Sequence, residues 1–73
     1  RTIRELLQTM SPNRAKEYIK SFNLPEDEEN VLLLLDVRRL SCVAAGMDIG
    51  ITPDTVKRYR QRAYAHIADE LNN

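Results

Sequence analysis

The chain has no tryptophan, one cysteine, one histidine, two glycines and three prolines. One thiol cannot close an internal disulfide, and Cys42 with His66 cannot supply the four ligands of a structural zinc site. Cys42 therefore reads as a small apolar residue, and a reducing cytoplasm is the expected location. Scarce glycine and proline argue against low-complexity segments and long flexible linkers. The longest apolar run is Val31 to Leu35, far short of the ~20 residues that span a bilayer. No membrane partner is expected, and no secretion-signal pattern is visible. Period-2 alternation with hairpin turns is missing, so no sheet is expected. Enzyme constellations are missing too. There is no carboxylate pair with a pocket, no Ser/His/Asp or Cys/His set and no glycine-rich phosphate loop, so neither catalysis nor a cofactor or metal is expected.

What is present is charge, unevenly spread. The net charge is zero over 73 residues. Residues 1–36 carry five basic and seven acidic groups, a net of −2, with Glu26, Asp27, Glu28 and Glu29 in one run. Residues 37–62 carry six basic groups (Arg38, Arg39, Lys57, Arg58, Arg60, Arg62) and two acidic ones (Asp48, Asp54), a net of +4. A local basic patch, rather than the total, is the electrostatic signature of a phosphate-rich partner.

Helix punctuation recurs along the chain. A first helix is expected at about 2–10, with Ile3, Leu6, Leu7 and Met10 on one stripe. Ser11-Pro12 opens a second at about 12–22, with Ala15, Tyr18, Ile19 and Phe22 as its apolar face. Asn23-Leu24-Pro25 breaks it and starts a third, about 25–37. The acidic run in its first turn suits the positive end of the helix dipole. Five consecutive apolar residues cannot share one narrow stripe, so this helix is expected to be central. Ser41 caps a fourth, about 42–48, which Gly50 ends. Thr52-Pro53 opens the last, about 53–71. The expected fold is all-α, a bundle of about five helices. Residues 1–23 form an N-terminal helical pair of unknown role, and residues 24–73 form the functional domain.

Residues 41–62 carry a sharper pattern. Two helices joined by a three- or four-residue turn containing glycine form a helix-turn-helix. Gly46 is small where the helices must cross, Gly50 can take the positive φ of the turn, and Ile49 and Ile51 can plug the space between. On the last helix, with Val56 at 0°, Ala63, Ile67, Leu71 and Tyr59 fall within about 60° of it. Gln61, Asp54, Arg58 and Arg62 fall between about 140° and 240°, on the far side. Arg pairs with guanine, Gln with adenine, and Asp accepts from cytosine. Arg60 falls at about 40°, inside the apolar face, where it can snorkel to a phosphate or pair with an acid on the third helix. Tyr18, Tyr59 and Tyr64 read as core-edge residues, and His66 as a partly buried packing residue.

The trios Gly50-Ile51-Thr52 and Thr55-Val56-Lys57, preceded by Leu40-Ser41 and followed by Arg62-Ala63 and Ile67, resemble the region-four domain of bacterial sigma factors. Val31-Leu32 and Leu34-Leu35 before Leu40-Ser41 resemble the related LuxR-type regulator domain. The resemblance covers about residues 24–71. It implies a bacterial or phage transcription regulator that binds double-stranded DNA, with the last helix in the major groove. Asp54, Lys57, Arg58 and Gln61 would then face bases. Thr52, Thr55 and Arg62 would hold the backbone, with Arg39 and Ser41 at the start of the preceding helix. RNA polymerase or another regulatory protein, and a second copy of the chain, are further partners the pattern admits. The competing expectation is a protein-interaction module that contacts polymerase or a regulator.

Overall fold

Four of the five helices start on a hydroxyl. The computed structural model describes residues 2–72. In it α1 (Ile3–Thr9) is capped by Thr2, whose Oγ1 accepts from the Glu5 amide at 3.1 Å. Ser11 caps α2 (Pro12–Lys20) by accepting from the Arg14 amide at 3.4 Å. Ser41 caps α4 (Cys42–Ile49) through the Ala44 amide at 3.1 Å. Thr52 caps α5 (Pro53–Leu71) through the Thr55 amide at 3.2 Å. Each bond satisfies an amide that the helix cannot, and contributes about 1 kcal/mol. The exception is α3 (Glu26–Leu32), which starts from Pro25 without a side-chain cap. Its four first-turn acids stand at the positive end of the dipole instead.

The third helix is not α throughout. From Leu33 to Val37 it widens into a π-helical turn, closed by the Arg38 amide on the Leu33 carbonyl at 3.0 Å. This differs from the continuous helix expected at 25–37. A π turn takes more residues per revolution, and here it brings Leu34, Leu35 and Asp36 all into the interior. With Val31 and Leu32 also buried, α3 and its π turn touch every other helix. The bundle is all α, with no strand among the described residues.

Two apolar clusters flank this central element. Leu7, Ala15 and Ile19 from the N-terminal pair join Leu32, Ala63 and Ile67 in the first. Val31, Leu34, Leu35, Ala45 and Val56 form the second, which fastens α4 to α5. The pair expected as a unit at 1–23 thus shares a cluster with residues from 24–73. Tyr18 packs edge-on against Phe22, ring centres 5.0 Å apart, at the border of the first cluster. Leu71, expected on the apolar face of α5, lies past the end of the core and is 55% exposed.

Gly50 ends α4 with φ of +77° and donates to the Gly46 carbonyl at 2.8 Å. A Cβ there would meet nothing within 4 Å, so any cost of substitution is backbone strain alone. Gly50→Ala is expected to lose about 1–2 kcal/mol, Gly50→Val more, and Gly50→Asn least, because Asn tolerates the left-handed region. Urea unfolding of the three variants checks the order. Equal stability of Val and Asn would remove the positive-φ argument.

Candidate nucleic-acid interface

The turn between α4 and α5 spans residues 50–52. Its shape is set by one crowded contact. The Ile51 amide donates to the Gly46 carbonyl at 2.9 Å, folding the turn back over the last turn of α4. A Cβ on Gly46 would collide with the Ile51 carbonyl oxygen. The close approach expected at Gly46 is therefore with the turn backbone. Ile51 is half-buried against the second cluster. Ile49, expected to plug the same space, is 36% exposed, because it points away from that cluster at the end of α4.

The N-terminal half of α5 presents a polar outer face. Asp54, Lys57, Arg58, Gln61 and Arg62 are all exposed, while Val56 and Ala63 are fully buried on the opposite side. Two arginines on this face are held in place. Arg58 Nη2 donates to Thr55 Oγ1 at 3.2 Å. Thr55 Oγ1 lies 2.9 Å from Thr52 Oγ1, which also accepts the Thr55 amide. A guanidinium has no acceptor, so Thr55 must accept from Arg58. Each hydroxyl carries one hydrogen, so after the Thr55–Thr52 bond one hydroxyl hydrogen of the pair remains free to donate. Arg62 lies over the Tyr59 ring, 5.8 Å from its centre. Such a cation–π contact contributes about 0.5–1 kcal/mol when exposed.

The two remaining site residues precede α4. Ser41 caps that helix with one lone pair and is exposed, which leaves its hydroxyl hydrogen free to donate. Arg39 adopts a left-handed backbone, φ +60°, and its Nη2 donates to the Gln8 carbonyl at 2.9 Å. That bond pins the loop before α4 to α1, an anchoring role the sequence pattern did not reveal. Thr52, Asp54, Thr55, Lys57, Arg58, Gln61 and Arg62 are together at the cap and in the N-terminal half of α5, whereas the Arg39 guanidinium is bonded to α1.

Two buried acids bond to the C-terminal half of α5. Asp36 is 3% exposed and accepts from the Tyr64 hydroxyl at 2.6 Å. Burial pushes the Asp36 carboxyl up, against the opposing pull of Tyr64, Arg4, Arg60 and Arg39. The Tyr64 hydroxyl is pushed well above its usual range by burial and by the neighbouring carboxylate. Glu28 is buried and lies 2.6 Å from His66 Nδ1. His66 is itself half exposed, so it binds an acid at the rim, a departure from the packing role expected of it.

No group of three or more His, Cys, Asp or Glu residues that could hold a metal ion occurs among the described residues. Among the same residues, no helix is long and apolar enough to cross a membrane. No protein-family model, curated protein or solved structure matches the chain.

Proposed function

We propose that this chain binds double-stranded DNA in a sequence-specific manner, as a bacterial or phage transcription regulator without enzymatic activity. In this reading α4, the turn and α5 are a helix-turn-helix, and α5 enters the major groove. One observation carries it: seven of the nine expected contact residues gather at the start of α5, on a face whose reverse side is core. A side chain that reads a base must be held in position, and Arg58 is held by Thr55. The test is titration with duplex DNA at several salt concentrations. Affinity should fall steeply with salt, because bound phosphates release counterions. A salt-independent affinity, or none, would overturn the reading.

Thr55 supplies a further check. Thr55→Val keeps the shape but removes the acceptor that holds Arg58. Preference for a selected site over a scrambled one should fall by roughly 2- to 10-fold, the value of one lost hydrogen bond. Thr55→Ser, which restores a hydroxyl, should recover it. Full discrimination by the Val variant would mean that this bond does not serve reading.

One observation favours the protein-interaction alternative. Val43 and Met47, one turn apart on α4, are 58% and 81% exposed. The acidic run supports that alternative less than its sequence suggests. Glu28 is buried against His66, and Glu29 pairs with Lys20 at 3.4 Å. Val43→Ser with Met47→Ser should leave duplex affinity intact; a loss of DNA binding at unchanged helicity would bring α4 into the DNA contact.

A further inference from the structure

Arg60 is the awkward cation of the fold. It lies on the inner side of α5 and is only partly exposed. Among the described residues, no carboxylate lies within 4.0 Å of its guanidinium. Among the described residues its hydrogen-bond contact is Cys42 Sγ at 4.0 Å, and sulfur is a weak acceptor. Asp36 lies within the electrostatic reach of both Arg60 and Arg4 without bonding either directly, and burial pushes its carboxyl up. A partly desolvated guanidinium with no oxygen acceptor bonded to it among the described residues is costly.

Arg60 opens into a groove of about 630 Å³ between α1 and α5. Arg4 and Gln8 line the α1 wall, and Arg60, Gln61 and Tyr64 line the α5 wall. Arg4 likewise has no carboxylate within 4.0 Å among the described residues. Glu5 is the one acid in the lining. Two guanidiniums and two carboxamides offer more donors than the two oxygens of a carboxylate take up. A tetrahedral oxyanion with up to two charges fits the set better.

We propose that the groove between α1 and α5 is a binding site for a phosphate-class oxyanion, gripped by Arg4 from one wall and Arg60 from the other. Gln61, at the edge of the groove, belongs also to the outer face of α5. The occupant is therefore either a free phosphate group or a backbone phosphodiester of a bound duplex. The site does not depend on the DNA reading. It gives the N-terminal helical pair a part in binding as well as in packing.

The probe is inorganic phosphate, added to the whole chain at constant ionic strength and followed by amide and side-chain NMR shifts. Saturable shifts are expected at Arg4, Gln8, Arg60, Gln61 and Tyr64, with Kd on the order of 1–10 mM. Arg4→Ala, an exposed change that leaves the core untouched, should weaken this at least about fivefold. Arg14→Ala, on α2 and outside the groove, should not. Arg60→Lys keeps the charge and loses the fork, so it should weaken binding less than Arg60→Met. A second arm measures duplex affinity against salt. A slope reduced by about one unit in Arg4→Ala identifies a phosphodiester as occupant. An unchanged slope with lost phosphate binding identifies a free anion. Absence of saturable shifts together with an unchanged slope overturns the site, as does equal behaviour of Arg4→Ala and Arg14→Ala. If no duplex binds at all, the DNA reading fails while the phosphate titration still decides the groove.

Discussion

Gly46→Ala should destabilise the fold by about 3 kcal/mol, although the same change stabilises most helices. In an exposed helix interior, alanine gains roughly 0.5–1 kcal/mol over glycine. Here the new methyl would be driven into the Ile51 carbonyl oxygen. That oxygen is backbone, and the Ile51 amide of the same residue is bonded to the Gly46 carbonyl. Neither side can yield without reshaping the turn, and overpacking of this kind costs about 1–3 kcal/mol or more. For a domain of this size, the midpoint should fall by about 12–24 °C. The contrast with Gly50 is diagnostic. Gly50 has open space around its missing Cβ and a positive φ, so it responds to backbone preference. Gly46 responds to volume, and Gly46→Asn should be no better than Gly46→Ala. Thermal unfolding of both series checks this. A Gly46→Ala variant as stable as the parent would mean that α4 and the turn are farther apart than described.

The two glycines also illustrate what a single sequence can convey. Gly50 is legible because a glycine just past a helix announces a left-handed cap. Gly46 is legible as a small residue, but its true neighbour is a carbonyl five residues on, and no composition encodes that. The five helices were readable because hydroxyl caps and proline restarts are local signals. The π turn at Leu33–Val37 was not, since Leu and Val fill α and π turns alike. Asp36–Tyr64 and Glu28–His66 join residues 28 and 38 apart, and reading Tyr64 as a core-edge residue and His66 as a packing residue gives no sign of their acidic partners. Arg60 was readable as an anomaly, because a charge on an apolar stripe breaks the helical period. Its companion Arg4 became visible only when α1 and α5 came together across the groove. Arg39 reads as part of the basic patch, and only the tertiary fold turns it toward the Gln8 carbonyl.

The outer face of α5 makes the sharpest functional claim, because its two arginines are held in different ways. Arg58 bonds back to Thr55 near the helix start, on the middle of the exposed face. Arg62 lies one turn farther on, over the Tyr59 ring toward the rim. In the proposed docking Arg58 meets base edges and Arg62 meets phosphate. Base contacts discriminate between sequences, whereas phosphate contacts do not. Arg58→Ala should therefore cost about 1–3 kcal/mol on the cognate site, roughly 5- to 150-fold, and relax preference at one base position. Arg62→Ala should weaken cognate and scrambled duplexes alike and reduce the salt slope by about one unit. Both side chains are exposed and lie outside the two apolar clusters, so Arg58→Ala should lower the unfolding midpoint little and Arg62→Ala by no more than about 2–8 °C, the value of its lost contact with Tyr59. A cognate site must first be obtained by selection from random duplexes, and both variants then titrated on it and on a scrambled control at several salt concentrations. If Arg58→Ala weakens both duplexes equally, or changes neither, α5 does not read the groove with this face. The exposed Val43–Met47 face of α4 would then be the surface to pursue, as a contact for another protein.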